Sequence, residues 1–232
     1  MGRSSDAIEK IRRLIATGEL RPGSRLPREP DLAAQLGLSR SSMREAVTAL
    51  VYAQVLDVRR GDGTYVTSLE PHRLLAGIAH AVELMQDGTL PEIFELRRLL
   101  EPQATALAAE RITPERLAEL REHLDAMRRS ETIDEFVVHD AEFHATIMAA
   151  TRNRTLISVV NGLAARALRV RTWNSLNIAD ARQRIISRRQ AIYQALEKGD
   201  AALALSWATV HVTDSERDLL RTVPSAAPTE VG

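Results

Sequence analysis

Two sets of side chains stand out for what their types and spacing could do. The first is Arg40 and Arg44, in the run Ser39-Arg-Ser-Ser-Met-Arg44. Residues four apart on a helix project together. Guanidinium groups suit phosphates and guanine edges, which they contact bidentately. The hydroxyls of Ser39, Ser41 and Ser42, with the first-turn N–H groups, suit phosphates as well. The second set is Arg97, Glu101, Asp140, His144, Arg189 and His211. Each falls at helical spacing among apolar residues. Asp140 and His144 sit among Phe136, Val137, Phe143, Ile147 and Met148. Arg189 sits among Ile185, Ile186, Ile192, Tyr193 and Leu196, and His211 shares a face with Ala204, Trp207 and Ala208. Arg97 is flanked by Ile93, Leu100, Glu101 and Ala104. Ionisable groups are costly to bury unless they are paired. Internal ion pairs, Arg189 with Asp140 and Arg97 with Glu101, are one outcome. A polar cavity that receives a ligand is the other, and the set as a whole favours it.

The elements that must position these residues follow from periodicity. Ile8, Ile11, Leu14 and Ile15 predict a first helix that stops near Gly18. Pro30 opens a short helix through Leu36, and Gly37-Leu38 makes a turn. Ser39 caps a helix from Arg40 to about Ala53, with Met43, Ala46, Val47 and Leu50 inward. Alternating runs at 55–59 and 64–68 flank Arg60-Gly-Asp-Gly63, a hairpin signal. Three helices and a hairpin describe a winged helix-turn-helix over residues 1–70. Arg59, Arg60, Gly61 and Gly63 belong to the wing, where Asp62 is unfavourable beside phosphate. Residues 71–222 then read as helices only, at roughly 72–87, 91–110, 114–130, 134–150, 154–177, 179–198 and 200–221. Residues 223–232 read as a disordered tail. The fold class is mainly α: a winged helix-turn-helix followed by an all-α helical bundle.

Composition bounds the function. The 232 residues include no cysteine, which excludes disulfide scaffolds, cysteine metal sites and thiol catalysis. No charge-free stretch approaches the ~18–20 apolar residues of a membrane span. The start, Met1-Gly-Arg-Ser-Ser-Asp, lacks an apolar signal region, so a cytoplasmic location without a membrane partner is expected. The formal net charge is zero. That zero joins a head, residues 1–68, with eleven basic and eight acidic side chains, net +3, to a body with 20 and 23, net −3. Zero therefore does not exclude a nucleic-acid partner.

The stretch from Ile11 to Val66 resembles the DNA-binding domain of the GntR family of bacterial transcription regulators. The carriers are Gly18-Glu-Leu-Arg-Pro-Gly-Ser-Arg-Leu-Pro27, Leu32-Ala-Ala-Gln-Leu-Gly-Leu-Ser-Arg40, Arg44-Glu-Ala46 and Gly63-Thr-Tyr-Val66. The resemblance implies that Arg40 and Arg44 contact bases and phosphates and that the Gly61–Gly63 tip contacts DNA. The family usually has Ser-Glu-Arg after Leu-Pro. Here Arg28-Glu29-Pro30 stands there, so one backbone-contacting cation is lost and Arg28 partly substitutes. From about Leu96 to Val212 the chain resembles the FCD ligand-binding domain of the FadR-type branch. Its carriers are Arg97-x-x-x-Glu101 with Ala108-Ala109, Asp140-x-x-x-His144, Asn153, and Ala191-Ile192 through Gly199-Asp200 to His211. In many members one Asp and three His hold a divalent metal that helps bind a small carboxylate. Asp140, His144 and His211 match three of those ligands; Arg189 stands at the fourth. A guanidinium cannot ligate a metal. It either replaces the metal's charge, the favoured outcome, or swings away and leaves a three-ligand site that still holds zinc.

Together these features predict a transcription regulator, a repressor, rather than an enzyme. It binds a palindromic operator on double-stranded DNA as a homodimer. A small organic acid in the helical domain modulates its DNA affinity. The expected effector-binding residues are Arg97, Asp140, His144, Arg189 and His211, with Arg169 and Arg171 as weaker candidates. No cofactor is required. The alternatives are a helical domain that only dimerises, and a metal-dependent enzyme on the bundle.

Overall fold

The computed structural model describes residues 3–84, 89–164 and 178–220. By its internal contacts the chain divides after Gly77 into two units. Each has its own apolar core.

The first unit contains α1 (Arg3–Ala16), α2 (Glu29–Leu36), α3 (Arg40–Tyr52), β1 (Leu56–Arg59), β2 (Gly63–Val66) and the single turn α4 (Pro71–Leu74). Met43, Ala46, Val47 and Leu50 of α3 are buried with Ala7 and Ile11 of α1 and Leu32 and Ala33 of α2. The stripe expected from spacing is thus the one buried. Gly37, with φ +64, closes α2 in the left-handed region that glycine tolerates. The two strands pair antiparallel from Leu56↔Val66 to Arg59↔Gly63. The segment before α2 lies along the outer side of β2. Gly23 donates to Val66 O at 2.9 Å, Val66 donates to Ser24 O at 2.9 Å, and Leu26 donates to Thr64 O at 2.8 Å. The wing is therefore a hairpin flanked by a third extended segment.

The second unit contains α5 (Gly77–Leu84), which starts at the division, α6 (Leu90–Ala109), α7 (Pro114–Arg129), α8 (Ile133–Ala150), α9 (Arg154–Leu163), α10 (Ile178–Glu197) and α11 (Ala201–Leu220). Helix α6 packs along α11, α7 along α8, and α10 against both α7 and α11. Leu120, Leu124, Met127, Phe136, Phe143 and Ile147 fill the core between them. Among the described residues no helix is long and apolar enough to cross a membrane.

Two boundary differences from the sequence expectation have a local physical reason. The helix expected over 72–87 is broken. Leu75 leaves helical dihedrals (φ −101, ψ 5), and Ala76 donates to Arg73 O three residues back, so α4 ends and α5 restarts. Helix α8 starts one residue early, because Thr132 and Glu135 form a reciprocal capping box. Of the helix expected over 154–177, the described part is α9. Arg169, Arg171 and the 223–232 tail lie outside the described residues.

Candidate functional site

Helix α3 presents an exposed arginine pair. Ser39, outside α3, accepts a hydrogen bond from the Ser42 N–H at 3.1 Å and caps the helix. Ser39→Ala is expected to cost about 1 kcal/mol, seen as a lower thermal midpoint of the head. Arg40, Ser41 and Arg44 are exposed on the outer side of α3. Among the described residues neither arginine has an ion-pair partner, so both guanidinium groups are available to an incoming anion. Arg44 and Ser41 open onto a groove completed by Glu45, Thr48, Ala49 and Tyr52. The Ser4 hydroxyl donates to Glu45 and holds that carboxylate on the same side. Ser42 departs from the expectation. It is 5% exposed, and its hydroxyl accepts from Ser39 Oγ at 2.8 Å. It stabilises the start of α3 instead of facing a phosphate. Arg28 is exposed at the N-cap of α2, where its side chain makes no capping bond.

In the wing, Arg59, Arg60 and Gly61 are exposed and Gly63 is half-buried. The Arg59 guanidinium lies 4.1 Å from the centre of the Tyr65 ring and 3.5 Å from Asp57 Oδ2. Asp62 does not stand alone at the tip. Tyr65 donates its hydroxyl proton to Asp62 Oδ2 at 2.9 Å, and Arg25 Nη1 lies 3.8 Å from Oδ1. Arg25 is the residue that sequence reasoning missed, because its partner is 37 positions away.

In the second unit, α6, α8, α10 and α11 each turn ionisable groups inward. Arg97 Nε donates to Glu101 Oε1 at 2.5 Å and Arg97 Nη2 to Oε2 at 3.4 Å. His144 Nε2 lies 3.4 Å from the same Oε2. Arg189 Nε donates to Asp140 Oδ1 at 2.7 Å, and its guanidinium lies 5.4 Å from the centre of the Phe143 ring. Arg189 is 1% exposed, the largest fully buried side chain among the described residues. Both ion pairs anticipated from spacing are formed. Two buried atoms, Arg189 Nη2 and His211 Nδ1, have no hydrogen-bond partner among the described residues.

The electrostatics follow from burial. Burial pushes the Glu101 carboxyl up, but the Arg97 charge and His144 outweigh it and hold the group well below its usual 4.5. His211 is held well below 6.5, first by burial and then by the Arg189 charge, so it is neutral at pH 7. Both shifts mean that the unfolded chain binds more protons in acid, so stability falls as pH falls. The loss should begin below about pH 6.5 as the unfolded His211 protonates. It should steepen below about pH 4.5 as Glu101 does, each proton contributing up to about 1.4 kcal/mol per pH unit. Urea midpoints between pH 8 and 4 measure it, and His211→Gln should flatten the upper part of the decline.

The donor set does not fit the metal that the resemblance implies. The Arg189 guanidinium already occupies Asp140, a fixed positive charge beside the position of a cation. Among the described residues no three His, Asp or Glu side chains are arranged around a common point that could hold an ion.

Comparison with known proteins places these features. Residues 3–66 match the model of the bacterial regulatory proteins of the gntR family, and residues 92–214 match the FCD domain. The chain is 29% identical over 208 residues to the HTH-type transcriptional regulator LutR of Bacillus subtilis, spanning 88% of this chain and 94% of that protein. It is 38% identical over 140 residues to the HTH-type transcriptional regulator Mce2R of Mycobacterium tuberculosis, spanning 57% of this chain but only 55% of that protein. Among solved structures, Streptococcus agalactiae GntR superposes with a TM-score of 0.67 at 25% identity, covering 92% of this chain and 99% of that one. The chain therefore belongs to the GntR family of bacterial regulatory proteins, as a transcriptional regulator with a DNA-binding winged helix-turn-helix head and an FCD domain.

Proposed function

We propose that this protein is a cytoplasmic repressor that binds a palindromic operator as a homodimer and is released by a small carboxylate seated in the FCD domain. The observation that carries the effector site is the pair of unsatisfied buried atoms, Arg189 Nη2 and His211 Nδ1. An unsatisfied buried polar group costs about 1–3 kcal/mol. A ligand that supplies partners to both gains that energy. Arg189 uses Nε for Asp140 and keeps Nη2 open, so one carboxylate oxygen can bind end-on without breaking the ion pair. Neutral His211 can donate to a second oxygen or to a neighbouring hydroxyl. Arg189 thereby takes the part that a metal ion would play, and Arg97, Asp140 and His144 hold the surrounding charges in place.

Exposed apolar side chains support dimerisation as well. Leu96 and Leu99 of α6 and Leu203 and Val210 of α11 are exposed on two helices that pack together. They offer apolar surface to a second copy, and two heads reading two half-sites match a palindrome. The acid acts only through its difference in affinity between DNA-competent and incompetent arrangements, a coupling of about 1–3 kcal/mol.

A thermal-shift screen of small organic acids tests the effector site. A stabilising acid whose shift is lost in His211→Ala supports it. A chain that no acid stabilises returns the FCD domain to a purely dimerising role, and turnover of the bound acid would make the protein an enzyme.

A further inference from the structure

The wing carries a contact that its DNA-binding role does not explain. Arg25 sits in the extended segment between α1 and α2, and its side chain crosses the hairpin. Its Nη2 donates to the Asp62 carbonyl oxygen. Its Nη1 lies 3.8 Å from Asp62 Oδ1. Its Nε packs so closely on Gly63 that a Cβ there would lie 2.6 Å away. Arg25 also forms a β-bridge with Tyr65, whose hydroxyl holds the other carboxylate oxygen. Arg25 thus spends its guanidinium on the tip of the wing. Asp62 is the one acidic residue at that tip, among Arg59, Arg60 and the two glycines. Left uncompensated, its charge would face the phosphate polyanion.

We propose that Arg25 is a positioning residue for DNA binding: it fixes the wing tip and cancels the charge of Asp62, so that Arg59 and Arg60 meet the backbone. An exposed ion pair contributes little to folding. Its effect on binding is larger, because what it removes is repulsion between like charges at an interface. The inference rests on the DNA-binding character of the head.

The test is operator affinity over a range of salt for Arg25→Gln, Asp62→Asn and the double variant. Arg25→Gln should weaken binding by roughly tenfold. Adding Asp62→Asn should restore it to within about twofold, with a salt slope equal to that of the unmutated protein. A double variant as weak as Arg25→Gln, with a slope flatter by about one per head, would make Arg25 a direct phosphate contact and overturn the proposal. Arg25→Gln binding like the unmutated protein overturns it too. Hydrogen exchange at the Arg60–Gly63 amides reads the same device without DNA. Faster exchange in Arg25→Gln supports it, and unchanged exchange overturns it. Should the unmutated protein shift no DNA at all, the DNA-binding reading fails, while this second measurement still decides the role of Arg25.

Discussion

Arg189→Met is expected to destabilise the FCD domain by about 3–5 kcal/mol, the cost of removing one partner of a buried ion pair. The size follows from burial. Arg189 is 1% exposed and Asp140 is 6% exposed, so water cannot replace the lost guanidinium. The 2.7 Å bond to Asp140 Oδ1 and the approach to the Phe143 ring both disappear. The sign of the double variant is the informative part. Arg189→Met with Asp140→Leu removes both charges and keeps apolar volume, so it should recover most of the loss or exceed the starting stability. That protein should also lose its response to any carboxylate that stabilises the unmutated chain. Urea unfolding measures the first statement and thermal shift the second. Arg189→Lys should fall between, since an ammonium lacks the planar fork that serves Asp140 and a ligand at once.

Arg44→Ala is expected to cut specific operator binding by about 1–3 kcal/mol per head, the worth of one bidentate base contact. With two heads on one operator the loss is roughly 2–6 kcal/mol, which should bring specific binding close to the level shown by unrelated DNA. Arg40→Ala should act in the same direction, and the two sites should show coupling, being one turn apart on α3. Arg44 can be removed without folding cost because it is exposed and makes no ion pair among the described residues. Fluorescence anisotropy at fixed salt, on operator and scrambled duplexes, separates lost specificity from lost charge. Unchanged affinity and specificity in Arg44→Ala would remove α3 from the interface.

Much of this was legible because helical periodicity is strict. A charged residue at a position whose neighbours three and four away are apolar must be buried, and burial demands an opposite charge. Arg97 accordingly lies beside Glu101 and Arg189 beside Asp140. Periodicity could not orient a serine. Ser42 falls one turn from Ser39, and the local exchange of hydrogen bonds between them decides that it points inward. Periodicity was equally silent on Arg25. Its contact with Asp62 depends on the Gly23–Leu26 segment lying beside β2, a pairing set by long-range backbone bonds. Nor could it show that Arg189 spends only Nε on Asp140, which is what leaves Nη2 and His211 Nδ1 open.

On the proposed function, an acid in the FCD domain is coupled to the grip of the head on DNA. Operator binding to the intergenic DNA upstream of the gene should be titrated with and without a saturating, thermally stabilising organic acid. That coupling should change the dissociation constant by about 5–150-fold in the unmutated protein, and not at all in His211→Ala. An acid that saturates and stabilises the protein yet leaves operator affinity unchanged would contradict it.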